Sequence, residues 1–155
     1  MDPHRYKWML DTLMRDFTAL GGFLLISGIV LSVLLLQQKE LFYFLLFGYF
    51  FIHFLGAGIK ALHFKPRPNH QTYHNLIEKI DAGAFPSVHT ARTFFFSLGL
   101  AYFFQNFAMT ILLLLTAIIV SYSRVYLKKH DWWDLLGGLM LALLTFWLAF
   151  NFFAF

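Results

Sequence analysis

The sequence contains no cysteine and few charged residues. The absence of cysteine excludes disulfide bonds and thiolate metal sites. Asp, Glu, Lys and Arg make up only 13% of the 155 residues, whereas hydrophobic residues make up 59%. A soluble domain of this size needs more polar surface than such a composition supplies. The composition therefore predicts an integral membrane protein.

Most of the apolar residues fall into uncharged runs that are long enough to cross a bilayer as helices. The runs that match one crossing of a ~30 Å hydrocarbon core are 17–36, 41–59 and 135–155. A longer run, 93–123, would form a helix of about 46 Å at ~1.5 Å per residue. Gln105 and Asn106 are the only strongly polar pair within it, so we predict two antiparallel helices that meet there. The sequence therefore predicts about five transmembrane helices.

Two shorter amphipathic helices are predicted outside these spans. Residues 1–16 place apolar residues at helical spacing beside charged ones, which predicts an interfacial helix. A frayed cytosolic tail is the alternative for this segment. The connection 63–86 carries an apolar stripe over 73–80, which predicts a short loop helix. The predicted fold class is a single all-α integral membrane domain over 1–155.

The polar segments between the spans are predicted to lie on one face of the membrane. The segments are 1–16, 60–92 and 122–134. The chain crosses the membrane an even number of times between any two of them, so all three lie on the same side. Every Lys and Arg except Lys39 lies in them. One face of the protein is therefore predicted to carry the chemistry.

Three basic residues lie at or just beyond the ends of the predicted spans, namely Lys60, Arg67 and Arg124. A Lys or Arg at the bilayer centre costs roughly 2.5–3.5 kcal/mol, so cations gathered at the boundary favour a shared anion. Arginine forks and a lysine point charge both suit phosphate oxygens. The alternative is that these residues only set the orientation of the spans. That alternative loses force because they share their segments with His89 and His130.

The segment Pro86-Ser87-Val88-His89 predicts the start of a helix. Ser87 is a favourable N-cap, and the amides of the first helical turn attract anions. A serine that only caps the helix is the alternative, but His89 two residues later would face a bound anion. This segment is therefore a candidate phosphate site.

His130 and Asp134 are four residues apart, on one side of a helix where the last span begins. A carboxylate that accepts from one imidazole nitrogen leaves the other nitrogen free as a nucleophile. A surface ion pair is one alternative, and a zinc site is another. Catalytic zinc usually takes three protein ligands, and three nearby cations would repel it. We therefore expect no metal at this site.

The combination of these segments resembles the type 2 phosphatidic acid phosphatases, a superfamily that also contains vanadium haloperoxidases. The three motifs of that family are KxxxxxxRP, PSGH and SRxxxxxHxxxD, and they match residues 60–68, 86–89 and 123–134 in order. The spacing within each motif is complete. The one departure is Val88, which stands where the family usually has glycine and keeps the backbone amide.

The resemblance implies a phosphatase that needs neither a metal nor another cofactor. In this family pattern His130 attacks phosphorus and forms a phosphohistidine, and Asp134 holds His130. His89 is implied as the general acid and then the general base. The residues implied to bind the phosphate are Lys60, Arg67, Ser87, Val88 and Arg124. The implied partners are a phosphorylated lipid and the membrane, with no nucleic acid and no obligate protein partner.

The chain looks like small bacterial members of the family, which include lipid A 1-phosphatases, phosphatidylglycerophosphate phosphatases and undecaprenyl pyrophosphate phosphatases. Lipid A 1-phosphate is favoured because the short basic loop carries Lys65, Arg67 and Lys79. Transfer of the phosphoryl group to an acceptor other than water is a further alternative. The expected location is the bacterial inner membrane with the site on the periplasmic face, although the basic residues alone would favour the cytoplasmic side.

The remaining polar residues receive lesser predictions. Arg92 is predicted to pair with an acidic residue in a structural role, with contact to the substrate as the alternative, and Asp131 receives no role. The histidines predicted to contact the interface or a headgroup are His63, His70 and His74. A membrane haem protein is the alternative from another class, with His53 and either His63 or His89 as axial ligands.

Overall fold

The computed structural model describes residues 3–69 and 71–153, which form seven helices and no β-strand. In chain order the helices are α1 (Pro3–Leu20), α2 (Phe23–Leu35), α3 (Lys39–Leu62), α4 (Leu76–Ala82), α5 (Val88–Phe104), α6 (Phe107–Tyr126) and α7 (Trp132–Phe152). The predicted all-α membrane fold class is confirmed. Parts of the predicted segments 1–16 and 135–155, together with His70, lie outside the described residues.

Four stretches among the described residues are long and apolar enough to cross a membrane: His4–Leu35, Lys39–Leu62, Phe107–Tyr126 and Trp132–Phe152. Helix α5 has 17 residues and corresponds to the remaining predicted span. It packs against α3, α6 and α7, so protein rather than lipid covers much of it. A span shielded in this way can carry the polar residues of a site.

The helix boundaries follow local chemistry. Gln105 adopts a left-handed conformation at φ 50°, and the Asn106 side chain accepts a hydrogen bond from the Met109 amide at 3.0 Å. The long run therefore divides where the sequence predicted. The predicted span 17–36 is also divided, because α1 continues to Leu20 and α2 begins only after Gly21 and Gly22.

The predicted loop helix is present as α4, and it begins later than the apolar stripe suggests. The Asn75 side chain accepts from the Glu78 amide at 2.8 Å, which places the start of the helix at Leu76. An asparagine in this position satisfies one of the unpaired amides of the first turn. Tyr73 and His74 therefore lie before the helix rather than within it.

The core of the bundle lies between α3, α5 and α7 and is aromatic. The rings of Phe44 and Phe95 stack with centroids 5.4 Å apart, and Phe146 meets Phe44 edge-on at 5.7 Å. Such pairs contribute about 0.5–1.5 kcal/mol beyond the apolar area they bury. This packing fixes α5 at the centre, and with it the position of its N-terminus.

Candidate active site

The three predicted motifs lie side by side at one end of the bundle. The Ala84 amide donates to the Lys65 carbonyl at 2.7 Å, which joins the first motif to the segment just before the second. The Ser87 amide donates to the Asp134 carbonyl at 2.9 Å, which joins the second motif to the third. Segments distant in sequence are therefore held together by main-chain hydrogen bonds that any side chain permits.

A cavity of about 410 Å³ lies at this end of the bundle. Five of the predicted site residues line it, namely Lys60, Arg67, Val88, His89 and His130. The other residues around it are Phe23, His53, Ala57, Ile77, Ile80, Asp81 and Arg92. The remaining predicted site residues are buried nearby without being among its lining residues; they are Ser87, Arg124 and Asp134.

The cations of the site are buried and lack acidic partners among the described residues. Lys60, Arg67 and Arg124 are 6%, 8% and 3% exposed. Arg67 donates to the Gln71 side chain and to the Asp81 carbonyl, and Arg124 donates to the Thr18 hydroxyl at 3.1 Å. The Nε atoms of both arginines are buried with no hydrogen-bond partner in the described part of the chain. Buried charge of one sign with unused donors suits an anionic ligand.

The N-terminus of α5 is closely fitted to its neighbours. The Ser87 hydroxyl accepts from the Thr90 hydroxyl at 3.1 Å and faces the Thr90 amide at 3.5 Å, so Ser87 caps the helix as predicted. A Cβ on Gly138 would lie 2.5 Å from the Ser87 carbonyl oxygen. Only glycine permits this approach of α7 to α5.

The departure from the family motif, Val88, is accommodated by a glycine on another helix. A Cβ on Gly56 would lie 2.9 Å from Cγ2 of Val88. The valine side chain therefore occupies the space that a missing side chain on α3 leaves. Its amide still begins the helix, so the anion-attracting end of α5 is kept.

His130 and Asp134 face each other in a buried position, but α7 begins only at Trp132, so His130 precedes the helix and does not share a side of it with Asp134 as predicted. Nδ1 of His130 lies 3.6 Å from Oδ2 of Asp134, beyond ordinary hydrogen-bond length, and has no closer partner among the described residues. The His130 amide donates to the Arg124 carbonyl at 3.2 Å, which sets the histidine beside the arginine. Asp134 is therefore oriented toward the imidazole without using its full bonding capacity on it.

Asp134 is held in place by Lys65, which the sequence analysis assigned to the substrate headgroup, and by Asp131, to which it assigned no role. Nζ of Lys65 donates to Oδ1 of Asp134 at 2.7 Å and to Oδ2 of Asp131 at 2.6 Å. Asp131 and Asp134 also form a capping box, in which each side chain accepts from the other's amide at 3.0 Å. The spacing of this box, Asp131 three residues before Asp134 and ahead of an apolar run, was a signal available in the sequence. Burial lowers the pKa of Lys65, but its bonds to the two carboxylates outweigh burial and raise that pKa overall.

The surroundings of His130 keep its ring neutral. Burial lowers the pKa of His130 to about 4, the charges of Arg124 and Arg67 act in the same direction, and Asp134 opposes them. At neutral pH the imidazole therefore carries no charge and retains a lone pair. A buried neutral imidazole beside cations is suited to nucleophilic attack on an anionic group.

Arg92 makes structural contacts, but with neutral groups rather than with the acidic partner predicted for it, and it also lines the cavity. Its Nη2 donates to the Gly21 carbonyl at 2.7 Å, and its Nη1 lies 3.0 Å from Nε2 of His53. Nδ1 of His53 lies 2.7 Å from the Tyr49 carbonyl. Both ring nitrogens of His53 are thus engaged within the protein, which leaves neither for an axial bond to haem iron.

Two further groups of residues bear on the site, the loop histidines and the acidic residues. His63 and His74 are exposed and do not line the cavity, whereas His70 lies outside the described residues. Within residues 3–69 and 71–153, no three His, Asp or Glu side chains come together as ligands for a metal ion. Imidazole and cationic groups predominate among the polar residues that line the cavity.

The family model described as "PAP2 superfamily" matches residues 39–155, which include all three motifs. Undecaprenyl-diphosphatase BcrC of Bacillus subtilis (strain 168) is 30% identical over 95 residues. That match covers 61% of this chain and 48% of the relative, so the chain spans about half the length of the curated protein it matches.

Two solved structures are similar to the fold. Aquifex aeolicus LpxE superimposes with a TM-score of 0.77 at 18% identity, over 97% of this chain and 88% of that one. The PAP2-type phosphatidylglycerolphosphate phosphatase of Bacillus subtilis gives a TM-score of 0.72 at 22% identity, over 98% of this chain and 78% of that one. At these identities the likeness shows a shared fold. Because the family model covers most of the sequence and all three motifs, this chain belongs to the PAP2 superfamily.

Proposed function

We propose that this chain is a membrane lipid phosphatase that transfers phosphate first to His130 and then to water. Membership of the PAP2 superfamily indicates a phosphatase. The observation that carries the proposal is the buried, neutral imidazole of His130 in a cavity that Lys60 and Arg67 also line. A neutral nucleophile among cations suits attack on the phosphorus of an anionic phosphate.

Two chemical steps follow from this arrangement. Nε2 of His130 attacks phosphorus, and the bond between phosphorus and the leaving oxygen breaks while His89 donates a proton to that oxygen. His89 then takes a proton from water as the water attacks the phosphohistidine. This second step releases phosphate and restores His130. Asp134, 3.6 Å from Nδ1, stabilises the positive charge that the ring carries between the steps.

The phosphate is held by cations and by the start of α5. In the proposal, Lys60, Arg67 and Arg124 balance its charge, while Ser87 and Val88 mark the helix end whose amides attract it. Donors aimed at charge that develops in a transition state are worth roughly 3–4 kcal/mol each. The three cations supply the charge that a metal would provide in other phosphatases, so we propose a metal-independent reaction.

The surroundings of the cavity support a lipid substrate. Phe23, Ile77, Ile80 and Val88 form apolar parts of its wall. An apolar groove of about 780 Å³ along α3 shares His53 with the cavity. A phosphate bound at His130 can therefore remain attached to a chain that lies in the bilayer.

The preferred lipid is part of the proposal. The sequence argument for lipid A 1-phosphate relied on free basic side chains in the loop, but Lys65 and Arg67 bond within the protein. Lys79 lies 5.4 Å from the ring of Phe64. The partial likeness to an undecaprenyl-diphosphatase instead favours a lipid diphosphate, and lipid A 1-phosphate and phosphatidylglycerophosphate complete the set to be compared.

The proposed location is the bacterial inner membrane, with the active site on the periplasmic face. Several helices long and apolar enough to span a membrane support a multi-pass protein. The periplasmic assignment rests on the resemblance to bacterial members of the family. Because the sequence has no cysteine, labelling of single introduced cysteines can test this orientation.

The proposed function is tested by measuring phosphate release from three lipids: undecaprenyl diphosphate, lipid A 1-phosphate and phosphatidylglycerophosphate. The assay is run in detergent with EDTA present. We expect release by the wild-type protein and a loss of at least about 10³-fold in His130→Ala, because the covalent step requires that ring. His63→Ala is the matched control, since His63 is exposed and does not line the cavity. Activity that disappears in EDTA would refute metal independence, and undiminished activity in His130→Ala would refute the phosphohistidine mechanism.

A further inference from the structure

The active-site cavity has a second cationic region beyond the one that the proposed mechanism uses. Arg92 lies one turn from His89 on α5 and lines the same cavity. It is only 3% exposed, and no carboxylate pairs with it among the described residues. Its Nε is buried without a hydrogen-bond partner in that part of the chain. A buried donor without a partner is uncommon for a guanidinium that serves packing alone.

The contacts of Arg92 position its charge without neutralising it. The carbonyl oxygen of Tyr49 can only accept, so Nδ1 of His53, 2.7 Å away, carries the proton of that ring. Nε2 of His53 is then an acceptor for Nη1 of Arg92 at 3.0 Å, and the Gly21 carbonyl accepts from Nη2 at 2.7 Å. Both partners are neutral acceptors, so the full positive charge of Arg92 remains available to an anion.

This second region lies deeper in the bundle than the phosphate site. His53 is seven residues from Lys60 along α3, about 10 Å at ~1.5 Å per residue, and away from the loop end of that helix. Arg92 is displaced from His89 in the same direction, by about 4.5 Å along α5. A lipid whose terminal phosphate reaches His130 has its tail on this deeper side. The group between the terminal phosphate and the tail therefore passes Arg92.

The charge around the cavity also exceeds what one phosphate balances. Among the described residues, the buried cations without carboxylate partners are Lys60, Arg67, Arg92 and Arg124. One carboxylate, that of Asp81, lines the cavity, and this residue is exposed. A single terminal phosphate carries a charge of about −1.5 to −2 near neutral pH. A second phosphate on the same ligand brings the ligand charge closer to that of the cavity.

We propose that Arg92, oriented by His53 and Gly21, binds the phosphate that stays on the lipid, so that the preferred substrate is a lipid diphosphate. This inference rests on the proposed function, because it assumes that the terminal phosphate is attacked at His130. The bond between the terminal phosphorus and the bridging oxygen breaks, and that oxygen leaves on the lipid monophosphate. Water supplies the oxygen of the released inorganic phosphate. Arg92 stabilises the negative charge that the leaving phosphate gains.

Farnesyl diphosphate and farnesyl monophosphate, which share one tail, test the proposal in detergent. We expect the wild-type protein to prefer the diphosphate in kcat/KM. In Arg92→Gln the ratio of diphosphate to monophosphate kcat/KM falls by about tenfold to a hundredfold, the range for one charge-assisted hydrogen bond. Lys60→Gln is the matched control and lowers both values in parallel, because Lys60 contacts the phosphate that both substrates carry. An unchanged ratio in Arg92→Gln would overturn the proposal.

A binding measurement separates this proposal from the proposed function. Methylenediphosphonate and methylphosphonate, neither of which is hydrolysed, are titrated against the thermal unfolding of the wild-type protein. We expect half-maximal stabilisation at an at least tenfold lower concentration of the diphosphonate, and a smaller difference in Arg92→Lys, which keeps the charge and loses the planar fork. Equal concentrations for the two ligands would overturn the second phosphate position. The proposed function fails only if none of the lipids named above is hydrolysed either, and in that case this binding difference still decides the proposal about Arg92.

Discussion

Lys65 is the residue that most changes the interpretation of the site. It lies inside the first motif segment, two residues before Arg67, yet its ammonium group contacts the third motif. Nζ of Lys65 holds Asp134 at 2.7 Å and Asp131 at 2.6 Å. Asp134 in turn faces Nδ1 of His130. Lys65 therefore acts as a positioning residue for the proposed nucleophile, through a carboxylate and without touching the substrate.

The variant Lys65→Met tests this role through the pH dependence of kcat/KM. Without the ammonium group, the charge of Asp134 acts more strongly on His130 and raises the pKa of His130 above about 4. The neutral ring is then lost at a higher pH, so the acid limb of kcat/KM moves upward. We expect kcat/KM at neutral pH to fall by about tenfold to a hundredfold. Lys65→Arg keeps the charge and is expected to leave the acid limb in place.

The same measurement distinguishes positioning from a general loss of stability. A variant that merely unfolds more readily loses activity by a similar factor at every pH where the substrate is unchanged. An acid limb that stays where it is in Lys65→Met would therefore contradict the positioning role. The ionisation of the substrate phosphate is the same for the wild-type protein and the variants, so it cancels in the comparison between the proteins.

The role of Lys65 could not be predicted from the sequence for a physical reason. Motif spacing brought His130 and Asp134 together as predicted, although His130 precedes α7 instead of sharing a face of that helix with Asp134. It does not show which side chain from a distant loop reaches a carboxylate. That contact depends on the main-chain bond between Ala84 and Lys65, which forms only when the loop after α3 lies against the start of α5.

At the scale of elements, the start of α5 is held between two glycines on neighbouring helices. Gly56 on α3 accommodates the Val88 side chain, and Gly138 on α7 lies against the Ser87 carbonyl. The two contacts differ in kind. The side chain of Val88 can be shortened by substitution. The main-chain oxygen of Ser87, in contrast, cannot move without shifting the helix that begins the phosphate site.

Gly56→Ala and Gly138→Ala are expected to respond differently to a second substitution. The new Cβ would meet Cγ2 of Val88 at 2.9 Å in the first case and the Ser87 oxygen at 2.5 Å in the second. Overpacking of this kind costs typically 1–3 kcal/mol of unfolding free energy. Adding Val88→Ala is expected to restore the stability of Gly56→Ala and not that of Gly138→Ala. Thermal unfolding in detergent, arranged as a double-mutant cycle, measures both effects.

Gly58→Ala provides the control for this experiment. Gly58 lies on the same helix as Gly56, and an added Cβ there would meet nothing within 4 Å. Alanine is also the better helix former, so this variant is expected to be at least as stable as the wild type. If Gly56→Ala behaves like Gly58→Ala, the proposed fit between α3 and Val88 is wrong.

Most of the elements could be predicted because polarity marks their ends. Gln105 and Asn106 interrupt a long apolar run, and the chain turns there. The break at Gly21 and Gly22 was not predicted, because glycine inside an apolar run changes neither charge nor polarity. Its place depends on tertiary contacts: a Cβ on Gly21 would lie 2.8 Å from both Thr93 and Val120.

At the scale of the whole molecule, the charge asymmetry has two components. The residues Lys60, Arg67, Arg92 and Arg124 are buried around the cavity, and Lys65 is paired with carboxylates. These cations have reasons to be on this face that are unrelated to membrane insertion. The exposed basic residues of the same face, such as Arg5, Lys7 and Lys128, still follow the pattern of a cytoplasmic surface. The buried cations therefore do not indicate an orientation, whereas the exposed basic residues argue against the proposed periplasmic site.

Single cysteines decide this orientation cleanly, because the natural sequence has none. Thr72→Cys lies in the exposed loop beside the cavity, and Gln38→Cys lies in the exposed turn between α2 and α3, on the opposite face. With a membrane-impermeant maleimide applied to intact spheroplasts, we expect labelling of the Thr72→Cys protein. The Gln38→Cys protein is expected to react only after lysis, and the wild-type protein under neither condition. The reverse pattern would place the active site on the cytoplasmic face, where the substrate phosphate would have to be presented from the inner leaflet. It would show that the exposed basic residues predict the orientation better than the family resemblance does.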